Sequence, residues 1–294
     1  MTEPIFDTVA IVGLGLIGSS VARGLKARGL ARRVVGYDSS TQVLARAKEL
    51  GFCDHVANTP AEAVKDAQLV LIAVPVGATA DAVKSIAPHL REGTILTEVG
   101  SVKAAVIRQV LAVLPQGAAF VPGHPIAGTE HSGPDAGFAE LFDGRWAILT
   151  PCERSSEAAV AKVAALWRGL GSAVETMTPE HHDIVLAITS HIPHLIAFNI
   201  VGTAADVEEV TQSEVIKFSA GGFRDFTRIA ASDPVMWRDV FLNNKEAVLE
   251  MLGRFSEDLA ALQRMIRWDD GEAIEALFTS TRALRRGIIE AGQD

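Results

Sequence analysis

The chain has 294 residues, of which 48% are hydrophobic and 21% charged, and its net charge is −9. That length exceeds what one core usually supports, so two domains are expected, and the composition excludes a disordered chain. The acidic balance argues against a nucleic-acid-binding surface and requires any anionic ligand to meet a local cationic pocket.

The first residues carry acids rather than a basic n-region, so no signal peptide is expected. The longest apolar run, 69–76, is far below the ~20 residues needed to cross a bilayer, so no membrane contact is expected. Cys53 and Cys152 fit no metal-ligand spacing and read as thiols of a reducing compartment. A cytoplasmic protein is the expectation.

In chain order, 8–12, 34–37, 69–74 and 94–99 are short, β-branched and apolar on both faces, and 119–121 and Trp146–Leu149 look similar. Buried parallel strands read this way. Helical patterns at 19–27 and 41–50 lie between them. The alternation implies crossover connections and a Rossmann-like, doubly wound, mostly parallel sheet.

The first predicted strand runs into Gly13-Leu14-Gly15-Leu16-Ile17-Gly18, which opens a helix. Gly13 permits a tight turn, Gly15 lets the backbone approach a pyrophosphate, and Gly18 lets helix and strand pack closely. The helix start, with Leu16 and Ile17, offers unpaired N–H groups to the phosphates. Asp38 ends the second predicted strand twenty residues past Gly18, where a carboxylate accepts from ribose hydroxyls. Ser39, Ser40 and Thr41 follow it with no arginine among them, so NAD is expected over NADP. Val74 and Pro75, after the third predicted strand, and Ser101, after the fourth, complete the expected cofactor contacts.

In an open parallel sheet, ligands bind beyond the carboxyl ends of the strands. Gly100-Ser101-Val102-Lys103 and the run from Gly123 to Glu130 must share that rim with the glycine turn. His124, between Gly123 and Pro125, is expected on a rigid, tightly turned loop and is a candidate base.

Beyond Met177 the strand signal disappears. Thr178-Pro179-Glu180 is a helix start, and the domains are placed at 1–177 and 178–294. Ser190 to His194 puts His191 and His194 three residues apart, but with no HExxH spacing and no third ligand nearby, so no metal is expected. The segment 218–237 gathers Gly221, Gly222, Arg224 and Arg228 among aromatics, which suits an anion clamp over a planar ring. Val248, Leu252, Phe255, Leu259, Leu262 and Ile266 form an a/d stripe, either a core helix or a dimer seam.

The segments GSVK at 100–103, GHPIAGTEHSG at 123–133, SHIPHLIAF at 190–198 and GGFRDFTRIAASDPVMWRD at 221–239 together resemble the prephenate/arogenate dehydrogenases. The resemblance spans nearly the whole chain and implies a Rossmann-like domain followed by a helical domain that forms a homodimer. It implies NAD-dependent oxidative decarboxylation of prephenate or arogenate in tyrosine biosynthesis. It further implies that His124 accepts the proton of the ring hydroxyl, supported by Ser101. Arg228 would hold a substrate carboxylate, His194 and Ser190 would lie near the side chain, and Thr129, Glu130 and Trp237 would line the pocket. Tyrosine is a candidate feedback inhibitor because the product resembles the substrate.

Two other readings compete. A β-hydroxyacid dehydrogenase or imine reductase shares the architecture but uses a lysine in the helical half, where Lys217 is the nearest candidate. A non-catalytic NAD sensor would have no reason to combine His124, Ser101 and Arg228. An acid near the substrate's side chain would favour arogenate over prephenate; Asp206, Glu208 and Glu209 are the candidates.

Overall fold

The computed structural model describes residues 3–129, 131–211 and 220–290. Eight strands form one sheet: β1 (Phe6–Val12), β2 (Ala31–Tyr37), β3 (His55–Val56), β4 (Leu69–Ile72), β5 (Ile95–Glu98), β6 (Ala119–Pro125), β7 (Trp146–Leu149) and β8 (Ala173–Thr176). Their order is β3-β2-β1-β4-β5-β6-β7-β8. The pairings among β1 to β6 are parallel, β7 runs antiparallel to β6, and β8 is parallel to β7. Sequence patterning missed two strands. β3 has only two residues, and β8 is largely exposed, so neither shows an apolar run.

Both faces of the sheet are covered, as doubly wound folds require. Val9 and Ile11 of β1 pack in one layer with Val21 and Leu25 of α1 (Leu16–Arg28) and with Trp167, which lies on a later helix. Ala10 and Val12 point the other way, as alternation along a strand dictates. Their layer includes Val83 and Ile86 of Thr79–Ile86, and Val106 and Val110 of Ala104–Leu111. The helices following α1 are α2 (Thr41–Leu50), α3 (Pro60–Val64), α4 (Thr79–Ile86), α5 (Ala104–Leu111) and α6 (Glu157–Gly169).

After β8 the described residues are mostly helical. Pro179–Leu186 (α7) and Ile192–Thr211 (α8) are joined through a π turn at Ala187–His191; Gly221–Thr227 (α9) and Pro234–Asn243 (α10) follow. The first compact unit runs past Met177 to Lys245. Two ties account for this. Asp183 on α7 accepts N–H bonds from Lys103 and Ala104, and Trp237 and Val240 of α10 join the core layer that contains Val76 and Val83.

The helical stretch Pro179–Val207, interrupted by polar residues, contains an 18-residue window with a mean hydropathy of 1.8 and is long enough to cross a membrane by length and composition alone. Its buried His182 and Asp183 tie it to His124 and to the Lys103 main chain, while much of its apolar side, including Ile184, Ile188 and Ile200, is exposed in the single chain.

The second compact unit, 246–294, comprises most of α11 (Lys245–Arg267) and α12 (Gly271–Glu290). Leu259 and Ile266 of the a/d stripe are exposed in the single chain, as are Trp268, Phe278 and Leu284.

Candidate active site

The glycine turn forms as its sequence requires. Gly13 adopts φ +98°, and a Cβ there would lie 2.4 Å from the Ala73 carbonyl oxygen. A Cβ on Gly18 would stand 1.9 Å from the Gly13 oxygen. At Gly15, which caps α1, a Cβ would meet nothing within 4 Å. The turn is therefore packed tightly at two glycines and open at the third, beside the N–H groups of Leu16 and Ile17. That cradle fits a pyrophosphate. Val74 lies against the turn, its Cγ1 2.9 Å from a Cβ built at Gly13, and Pro75 follows on the rim.

Asp38 braces this cradle. Its two carboxylate oxygens accept from the N–H of Leu14 (2.8 Å) and of Ser40 (2.9 Å), tying the glycine turn to the start of α2. Each oxygen keeps a second lone pair for a ligand hydroxyl.

Register places the remaining residues on the same rim. Val12 is level with Ile72, Ile72 with Glu98, and Glu98 with Pro122, so the turns after β1, β4 and β5 and the end of β6 lie side by side. His124 is not on a loop. It belongs to β6 and pairs with Ile148 of β7, because the antiparallel strand extends the ladder past Gly123. Beneath it, the buried Lys103 ammonium binds Glu98 and donates to the Gly123 carbonyl at 2.6 Å. Glu98 also accepts from the N–H of Gly100 at 2.7 Å. Burial pushes Lys103 down and Glu98 up, and the pairing opposes both shifts. This pair fastens the Ser101 loop to the residue before His124.

Sequence reasoning missed the partners of His124. Its Nδ1 lies 2.9 Å from Nε2 of His182, whose Nδ1 lies 2.9 Å from Oδ1 of Asp183. Asp183 is anchored in turn by the main-chain N–H groups of Lys103 (2.8 Å) and Ala104 (2.9 Å). Burial, then His182, Lys103 and His191, hold the His124 pKa well below 6.5, so the ring is kept neutral. The weak signal was a run of polar residues, His181 to Asp183, in an apolar helix.

The helical wall continues from there. Asn244 donates to the Asp183 carbonyl (2.9 Å) and lies 3.1 Å from Nδ1 of His191. His191, pushed down to about 4 by burial, meets Trp237 edge to face at 6.1 Å. Trp237 stacks on His194 with ring centroids 3.7 Å apart. The π turn lets the Ser190 carbonyl accept from Nδ1 of His194 at 2.9 Å. His194 is lowered by burial and by the charge of Arg228, and raised by the Ser190 bond. Hydrogen bonds and ring contacts thus run from His124 through His182, Asp183 and Asn244 to His191, Trp237 and His194, with Arg228 near enough for its charge to act on His194.

Other expected residues are less engaged. Ser101 is half-buried on its loop, and its hydroxyl makes no hydrogen bond among the described residues. Thr129 is exposed, its Oγ1 accepting from the His131 N–H at 3.2 Å. Glu130 and Lys217, and the side chains of Glu208 and Glu209, lie outside the described residues.

Residues 21–176 match the family model for the prephenate dehydrogenase nucleotide-binding domain, and 178–280 that for the prephenate dehydrogenase dimerization domain. The chain is 42% identical to a cyclohexadienyl dehydrogenase of Zymomonas mobilis over 97% of both chains. It superposes on the prephenate dehydrogenase of Aquifex aeolicus, solved with hydroxyphenyl propionate and NAD+, with a TM-score of 0.89 and 35% identity, covering 96% of this chain and 98% of that one. An arogenate dehydrogenase from Synechocystis gives a TM-score of 0.80 at 26% identity, covering 95% and 99%. With both family models matched in order along the same chain, this protein belongs to the prephenate dehydrogenase family.

Proposed function

We propose that the chain carries out NAD-dependent oxidative decarboxylation of prephenate, arogenate or both, in tyrosine biosynthesis. The observation that carries this reading is a neutral imidazole on the rim beside the glycine turn, linked by hydrogen bonds and ring contacts to His191, Trp237 and His194 and, through His194, to the charge of Arg228.

Gly13, Gly15 and Gly18 form the cradle for NAD, with the N–H groups of Leu16 and Ile17 toward its phosphates. Asp38 takes the ribose hydroxyls, and Val74, Pro75 and Ser101 border the nicotinamide end. Bound NAD supplies the carbon that accepts hydride from the ring carbon bearing the hydroxyl. His124 withdraws the hydroxyl proton as that carbon becomes a carbonyl, and Ser101 supports it. The ring carboxylate departs as carbon dioxide, leaving its bonding electrons to the aromatic ring. Because burial keeps His124 unprotonated, the base is ready at neutral pH.

Prephenate carries two carboxylates, and Arg228 holds one of them. A charge-assisted bond of this kind is worth about 1.5–3 kcal/mol. Trp237, stacked on His194, borders the ring, with Ser190 and Thr129 along the pocket. Lys103 is sealed against Glu98 and the Gly123 carbonyl, so it ties the rim together and is unavailable to substrate. Asp206 lies twelve residues along α8 from His194, about 18 Å at helical rise, too far to reach a side chain held there within the same chain.

The functional boundary is placed at 177/178. The exposed Leu259, Ile266, Trp268, Phe278 and Leu284 form the apolar surface of a homodimer seam. Tyrosine is proposed as a feedback inhibitor and the cytoplasm as the location, where the free Cys53 and Cys152 stay reduced.

NAD reduction measured in parallel with prephenate, arogenate and a 3-hydroxy acid tests the assignment. Turnover of one or both cyclohexadienyl acids is expected. Turnover of the 3-hydroxy acid alone overturns it.

A further inference from the structure

We propose that His182 and Asp183 are positioning residues that fix the tautomer of His124, making Nε2 its basic atom and sharing the charge it acquires. The proposal rests on His124 being the base, and it is carried by the hydrogen-bond chain behind that ring.

Asp183 is the end that sets the direction. Its Oδ1 accepts from the Lys103 N–H and its Oδ2 from the Ala104 N–H, so both oxygens are fixed as acceptors. His182 must therefore present Nδ1–H to Oδ1, 2.9 Å away. That leaves Nε2 of His182 as an acceptor, 2.9 Å from Nδ1 of His124. His124 must then carry its proton on Nδ1, and the lone pair of Nε2 faces away from this chain of bonds. One anchored carboxylate thus determines two successive rings, the orienting logic of a base held by a third group.

The same bonds act during turnover. When Nε2 of His124 takes a proton, the ring becomes an imidazolium whose Nδ1–H still points at His182. That proton can move onto Nε2 of His182, its electron pair staying on Nδ1 of His124. The positive charge then rests beside the Asp183 carboxylate. His182 is fully buried, so the proton returns to solvent through His124. The charged and titratable groups acting on the two rings are Asp183 from α7, Lys103 from the β5–α5 segment, itself bound to Glu98, and His191 from the π turn.

Long-range proton–nitrogen NMR on the 15N-histidine-labelled, unaltered protein reads the tautomers directly. The Nδ1–H form is expected for both His124 and His182, although Nε2–H is the usual form of free imidazole side chains. An Nε2–H form at either ring overturns the proposal. Kinetics supply the second reading. His182→Phe removes the acceptor, so kcat should fall ten- to hundredfold with the substrate KM within threefold. The acid limb of kcat/KM should shift, because the group that accepts from Nδ1–H and acts on the His124 pKa is gone. His182→Gln, which can still accept from Nδ1–H, should recover most of the loss. Unchanged kcat and pH limb in His182→Phe, with His124→Asn crippled, refute this inference alone. Normal turnover by His124→Asn refutes instead the assignment of the base. If His182→Phe does not fold, the tautomers in the unaltered protein decide.

Discussion

Gly15 and Gly18 separate cofactor binding from folding, although they are three residues apart in one motif. A Cβ at Gly15 meets nothing within 4 Å, and its backbone, φ −71° and ψ −160°, suits alanine. Gly15→Ala loses some capping preference but restricts the unfolded chain, two opposing effects each of up to about 1 kcal/mol. The ligand-free protein should therefore melt within about 4 °C of the parent. The added methyl does occupy the space left for the pyrophosphate. Overpacking costs about 1–3 kcal/mol, so the Kd for NAD should rise roughly 5- to 150-fold. Gly18→Ala places its methyl 1.9 Å from the Gly13 oxygen, a clash with backbone. It should lower the melting temperature and weaken NAD together. Titration of NAD against tryptophan fluorescence, beside thermal melting without ligand, gives both quantities. Normal NAD affinity in Gly15→Ala, or a melting loss equal to that of Gly18→Ala, would refute the proposed path of the pyrophosphate.

Arg228→Ala should raise the substrate KM at least tenfold with little change in kcat, as expected when a charge-assisted bond of about 1.5–3 kcal/mol is lost; a defect confined to kcat contradicts a carboxylate-holding role. Asp38→Ser combined with Ser39→Arg should shift preference from NAD toward NADP, although Leu14 and Ser40 lose their acceptor and overall affinity should drop. An unmoved NAD/NADP ratio of kcat/KM removes Asp38 from ribose recognition. His191 is held near 4 while an unfolded chain titrates near 6.5. Its contribution to stability is intact above pH 6.5 and is lost as pH falls toward 4, about 3 kcal/mol in full. His191→Gln should flatten the fall of stability over that window by one bound proton, and an unchanged slope counts against this burial effect.

Local signals were legible because they depend on neighbours in sequence. The glycine turn, Asp38 and the strands from β1 to β7, β3 excepted, declare themselves through backbone demands and apolar runs. His124 was correctly set on the rim but assigned to a loop. Gly123 and Pro125 read as turn residues, and nothing nearby in sequence reveals that β7 pairs across them. The wall behind His124 was hidden for a related reason. His182, Asp183 and Asn244 acquire meaning only when α7 and α10 pack on the sheet, more than fifty residues from their partners. Glu98 and Lys103 are polar residues at a strand end whose complete burial is a tertiary effect. The same burial, invisible in composition, moves His124 away from the ordinary imidazole range.

The most direct test of the account is steady-state turnover by His124→Asn, alongside substrate and NAD affinities measured by equilibrium binding. Asparagine keeps a polar group on β6 but cannot take up the hydroxyl proton. The expected result is a kcat reduced ~10²–10⁴-fold with both affinities within a few-fold of the parent. Near-normal turnover would show that the ring hydroxyl loses its proton to some other group.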